Sequence, residues 1–208
     1  MQESIGTFGK QALQWHIGMP TPAPEIEMLL TAEDSLFLLI DVQSKLMPAI
    51  AHAAEVEQHC RWLLEVAREL AVPVLATEQY PHGLGVTVPS LLALLKSEEI
   101  LEKIHFSAWR EPHIQAAIAD SGRRHIVLCG TETHVCVLQT ALDLTAAGYP
   151  VFVVAEACGS RRDADKEIAL GRLQQAGVVI VSREMVAFEW LQQAGTAQFR
   201  HISRGWLR

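Results

Sequence analysis

Three residues of this 208-residue chain carry side chains that could act together on a carbonyl compound: Asp41, Lys103 and Cys136. Each ends or closely follows a short apolar run, LFLLI before Asp41, ILEKI around Lys103 and IVLCG ahead of Cys136. Ligands of open parallel sheets bind beyond the carboxyl ends of the strands, so chemistry is expected at such positions. Cys136 falls in the first turn of a helix predicted from Thr133, where free backbone N–H groups and the helix dipole favour a thiolate. The dipole contributes about 0.3–1 kcal/mol, less than one pKa unit, and cannot by itself ionise a thiol of pKa ~8.5 at neutral pH. A Lys103 cation would lower the thiol further, while an Asp41 carboxylate could take its proton and later deliver it to a leaving group.

Singly, each residue has an ordinary reading: a lone cysteine as a small buried hydrophobe, an aspartate after a strand as a helix cap, a lysine as a solvated charge. Their common placement after strands makes them a chemical set. Cys60 on an amphipathic helix, Cys129 within a strand and Cys158 in ACGS lack that placement and read as structural.

The elements that must position the set follow from periodicity. Apolar runs of strand length end at Asp41 and recur at 72–76, 100–104, 125–129, 150–155 and 178–181. Helical stripes lie between them at 54–70, 111–121, 133–147, 163–176 and 183–193, several closed by glycine at Gly122, Gly148 and Gly177. Such alternation predicts an α/β fold with a mainly parallel sheet between helical layers, since right-handed crossovers place helices on both faces. Pro20, Pro22 and Pro24 exclude regular helix near the start, so residues 1–30 read as an extended arm and 31–208 as one domain.

Half of the residues are hydrophobic and a fifth charged, the balance of a globular protein. A net charge of −7 without a Lys/Arg cluster argues against a nucleic-acid groove or an anionic membrane as partner and leaves small molecules or proteins. No secretory or membrane-spanning pattern opens the chain, and four scattered cysteines suggest reduced thiols, so a cytoplasmic location is expected. Apolar residues outside the core pattern, among them Trp15, Met19, Phe188, Trp190 and Trp206, predict a homo-oligomer, at least a dimer. GLG at Gly83–Gly85 is a poor dinucleotide fingerprint, because Val88 and Pro89 follow where a third glycine and a helix start are needed.

DVQ at Asp41, EK at Lys103 and GTETHVCV around Cys136 resemble the isochorismatase-like cysteine hydrolases, over roughly residues 35–190. TEQYPHGLGVTVP, from Thr77 to Pro89, and EACGSR resemble the isochorismatase domain-containing subgroup. The resemblance implies a three-layer, Rossmann-like α/β/α fold with a six-stranded sheet and a catalytic Asp41, Lys103 and Cys136 triad. It also implies a non-proline cis peptide between Thr131 and Glu132, expected to help turn backbone N–H groups toward an oxyanion. Related nicotinamidases bind a metal through Asp and His at the segment resembling Thr77–Pro81. Gln79 and Pro81 stand there in this chain, so no metal and no other cofactor is expected.

The implied activity is hydrolysis of a small amide, imide or related carbonyl compound, a C–N bond cleavage through a Cys136 thioester. Gln43, Gln79, Tyr80, Phe106 and Trp109 follow strand ends and are candidates for lining the pocket. His134 beside the nucleophile reads as a local cap or packing residue. The alternative is an idle binding or scaffold protein that keeps the fold without activity.

Overall fold

The computed structural model describes residues 29–207. The predicted arm therefore lies outside the described residues, as do Trp15 and Met19, apart from the arm's last two residues. Of these, Leu30 is buried and its N–H donates to Glu189 Oε2 at 2.8 Å.

Six strands form one sheet: β1 Ser35–Ile40, β2 Val74–Gln79, β3 Ile100–Lys103, β4 His125–Thr131, β5 Val151–Gly159 and β6 Val179–Val181. Their order is β3-β2-β1-β4-β5-β6, and every pairing is parallel. All six residues of β1 are buried, as required of a central strand covered on both faces. The helices are α1 Ala53–Glu69, the short α2 Pro81–Leu84 and α3 Pro89–Leu92, α4 Pro112–Asp120, α5 Leu138–Ala146, α6 Asp163–Gln175, α7 Arg183–Leu191 and α8 Ala197–Gly205. Helix α1 buries Val56, Leu63, Leu64 and Ala67, on the stripe its sequence period predicts, together with Cys60 and Val66.

The chain winds outward from β1 to β3, returns to β4 on the other side of β1, and continues outward to β6. The direction of winding therefore reverses between β1 and β4, and a crevice opens there beyond the strand ends. Asp41 follows β1 and the Cys136 segment follows β4, so the topology alone brings them to that crevice.

Several expectations shift in detail. Strand β2 runs on to Gln79 rather than stopping at Ala76, because Thr77, Glu78 and Gln79 are buried and spend their polar groups on neighbours. The helix predicted as one piece from Thr133 starts as a π-helical turn, Thr133–Val137, before α5. Helix α8, which periodicity did not indicate, is capped by Thr196, whose Oγ1 accepts from Phe199 N–H at 2.9 Å. Trp190, expected at an interface, is core: its indole N–H donates to Ser35 Oγ at 2.9 Å. Trp206 donates to Glu65 Oε2 at 3.0 Å, and Phe188 stays half exposed.

Candidate active site

Asp41, directly after β1, takes a left-handed backbone conformation, φ 47°, which aspartate tolerates better than most residues. The carboxylate is fully buried. Its Oδ1 accepts from Thr77 Oγ1 at 2.7 Å. Lys103 Nζ lies 2.7 Å from Oδ2, with both side chains wholly removed from solvent.

Lys103 ends β3 and reaches across β2. Besides Asp41, its Nζ meets Gln79 Oε1 at 2.7 Å, Phe106 O at 3.1 Å and His105 O at 3.3 Å. All four neighbours are acceptors, which suits a side chain that only donates. The 104–106 turn that supplies two of these carbonyls is itself tied down by Glu111. That carboxylate accepts from Ile104 N–H at 2.8 Å and His105 N–H at 3.0 Å, and these bonds hold it down at a pKa of about 2.

On the other side of the crevice β4 must lie close against β1. Gly130, at φ 120°, permits this, since a Cβ there would sit 2.0 Å from Ile40 O. Thr131 Oγ1 then donates to Asp41 O at 2.7 Å, and the Thr131–Glu132 peptide is cis. Glu132 O accepts from both Val135 N–H and Val137 N–H, which widens the first turn into the π form. Cys136 lies in that turn, 5% exposed, close enough to Asp41 and Lys103 for both charges to act on its thiol. Burial and the adjacent Asp41 charge push its thiol up to about 12, and Lys103 opposes them only in part. The helix-start argument had predicted a lowered thiol; desolvation outweighs it here. Burial likewise raises Asp41 above its ordinary value, against the pull of Lys103. Asp41 and Cys136 are thus two acidic groups beside a single cation, each held above its ordinary value.

The other candidates fall into separate roles. Gln43 and Gln79 are scaffold: Gln43 Oε1 accepts from Gln79 N–H at 2.8 Å, and its Nε2 donates to Gln79 O at 3.0 Å and Gly85 O at 2.6 Å. Tyr80 and Phe106 are about half exposed at the same edge. The Tyr80 ring folds back over Gly83, where a Cβ would meet it at 2.5 Å. Trp109 packs edge-on against Tyr149, ring centres 5.4 Å apart. Glu132 pairs with Arg161 at 2.6 Å, and His134 Nδ1 lies 3.0 Å from Ser160 Oγ. Cys60, Cys129 and Cys158 are fully buried, and Cys60 Sγ contacts Ala157 O. Thr77, Gly130 and Glu111 were not singled out by sequence. Thr77 left a trace there as a polar residue directly continuing an apolar run, and Gly130 as the first residue of GTETHVCV.

Among the described residues no three His, Cys, Asp or Glu side chains converge to hold a metal ion, and no helix is long and apolar enough to cross a membrane.

Comparison with known proteins is consistent with this geometry. The isochorismatase domain family matches residues 35–185. The chain is 39% identical over 173 residues to the mouse isochorismatase domain-containing protein 2A, covering 83% of this chain and 82% of the relative. Among solved structures it resembles the MAR1 ribonuclease of Caenorhabditis elegans, with a TM-score of 0.81, 31% identity, and 86% and 93% of the two chains covered. The fold also matches the YcaC gene product of Escherichia coli, described as an octameric hydrolase, with a TM-score of 0.81, 23% identity, and 88% and 93% coverage. The chain belongs to the isochorismatase domain family.

Proposed function

We propose that this protein is a metal-independent cysteine hydrolase that cleaves a C–N bond in a small amide, imide or related carbonyl compound. The observation that carries the reading is a buried carboxylate and a buried ammonium, 2.7 Å apart, both acting on a buried thiol. A thiol held up at about 12 is protonated at neutral pH, so the nucleophile must form by proton transfer within the pair. The Cys136 proton passes to Asp41 Oδ2, the sulfur attacks the carbonyl carbon, and the C=O electron pair moves onto oxygen. Backbone N–H groups of the turn around Cys136 other than those of Val135 and Val137, which are bonded to Glu132 O, receive that oxyanion. Collapse breaks the C–N bond as Asp41 returns the proton to the leaving nitrogen. Water then gives a proton to Asp41 and attacks the thioester, releasing the acid and restoring the Cys136 thiol. Throughout, Lys103 balances the single negative charge that moves between oxygen and sulfur.

Independence from metal is supported by the commitment of Gln79, whose amide is spent on Lys103 and Ile104 O, and by Pro81, which offers no ligand atom. RNA is disfavoured as substrate by the charge of −7, whatever the nematode relative acts on. The half-exposed Met185 and Phe188 on α7 support self-association, which light scattering tests. An idle scaffold is the second reading, favoured by the fact that a protonated, buried thiol is also what an inert member would keep.

A screen of small amides and imides for released amine or ammonia, run with the native protein and Cys136→Ala, tests the proposal. Turnover confined to the native protein, with an acyl adduct on Cys136 by mass spectrometry, supports it. Turnover that persists in Cys136→Ala contradicts it.

A further inference from the structure

Gln79 is a polar residue at the end of a strand, where a side chain ordinarily reaches solvent, yet it is only 8% exposed. All of its polar atoms are engaged. Its N–H and carbonyl are held by the two ends of the Gln43 amide at 2.8 and 3.0 Å. Its Nε2 donates to Ile104 O at 2.7 Å, leaving Oε1 aimed at Lys103 Nζ at 2.7 Å. In the parallel register Gln79 lies opposite Lys103, so the two side chains leave neighbouring strands at the same level.

The ammonium has three N–H bonds to distribute. Its contact with Asp41 is an ion pair at 2.7 Å, and the carbonyls of His105 and Phe106 are longer contacts. The Gln79 oxygen is the shortest of the neutral acceptors, and its amide is braced by Ile104 O at its other end. Its neutrality matters as well. A carboxylate at this place would compete with the Asp41–Cys136 pair for the one cation, whereas an amide oxygen directs the ammonium without neutralising it.

We propose that Gln79 is a positioning residue: through Oε1 it holds the Lys103 ammonium against Asp41 and Cys136, with Gln43 as the brace behind it. This deepens the hydrolase reading and rests on it. The titratable groups facing the ammonium are Asp41 and Cys136. Loosening the cation raises the pH at which the pair first ionises and disfavours the microstate with the charge on sulfur.

Gln79→Met keeps the side-chain length and removes both hydrogen bonds. Gln79→Asn, which withdraws the amide by one methylene, serves where the methionine variant does not fold. Two readouts separate the claims. In 15N-lysine NMR, the Lys103 ammonium of the native protein is expected as a slowly exchanging signal that is lost in either variant. Alkylation of Cys136 by iodoacetamide is expected to slow about tenfold at pH 7, its acid limb moving up by about one pH unit. In the Lys103→Met background, Gln79→Met is expected to change neither the rate nor the limb, as one shared function requires. Loss of the NMR signal with an ordinary, unactivated Cys136 in the native protein upholds the positioning of Lys103 and sinks the hydrolase reading. An unchanged Lys103 signal in folded Gln79→Met, or additive losses in the double variant, overturns the inference.

Discussion

Lys103 Nζ sits 2.7 Å from Asp41 Oδ2 with neither side chain exposed to solvent. Taking both charges out of water costs several kcal/mol per ion, which their attraction offsets only while both are present. The pair is therefore a weak source of stability and a strong liability when broken.

Lys103→Met is accordingly expected to destabilise the fold by about 3–5 kcal/mol in urea unfolding at pH 7, since it strands the Asp41 charge. Adding Asp41→Asn is expected to recover most of that loss. Asp41 is an acid whose folded pKa is raised, so its contribution is complete below its unfolded value and declines as pH rises through the folded one. The Lys103→Met deficit should narrow as pH falls. A deficit independent of pH, or no recovery in the double variant, would show that the charge is not stranded.

Glu111 holds the turn that offers carbonyls to Lys103, and its folded pKa of about 2 lies below its ordinary value. A depressed carboxylate stabilises the fold above its unfolded pKa, and that contribution is lost as pH drops from about 4.5 toward 2. Glu111→Gln should therefore lower the melting temperature at pH 7 and flatten its dependence on pH in that acid window. Melting curves collected across the window check both effects. A parallel curve, merely displaced, would separate Glu111 from this titration.

Gly130→Ala tests the approach of β4 to β1. A methyl group 2.0 Å from Ile40 O, on a backbone at φ 120°, has nowhere to go unless the strands part. The expected outcome is a loss above about 3 kcal/mol, or failure to accumulate folded protein. A stable variant with native activity would mean that the two strand ends can separate without harm to the site. Gly122→Ala, where no atom lies within 4 Å, is the control for the positive φ alone.

The fold was legible in the sequence because the central strands are buried on both faces and leave uninterrupted apolar runs such as LFLLI. Asp41, Lys103 and Cys136 were legible through residue type and their place after those runs. What hid was polar. Thr77, Glu78 and Gln79 look like the start of a loop because burial of polar side chains depends on partners far along the chain: Asp41, Thr87 and Lys103. Gln79 was for the same reason read as a pocket wall, when its amide is wholly spent on structure. The π turn around Cys136 has no period of its own in five residues. The thiol was misjudged as well: a helix start argues for a lowered pKa, but sequence carries no measure of the desolvation and Asp41 charge that raise it.

The pH profile of Cys136 alkylation tests the central claim most directly, with iodoacetamide as probe and peptide mass spectrometry as readout. If Asp41 and Cys136 share one proton, reactivity of Cys136 should rise at acid pH, with the raised first ionisation of the pair, and then stay level between about pH 7 and 9. In Asp41→Asn the level region should vanish and the rate should climb with pH through a single thiol ionisation, since the carboxylate that takes the proton, and whose charge raises the thiol, is gone. A Cys136 rate in the native protein that climbs tenfold per pH unit up to about 8.5, as a free thiol does, and is untouched by Asp41→Asn, would contradict the account.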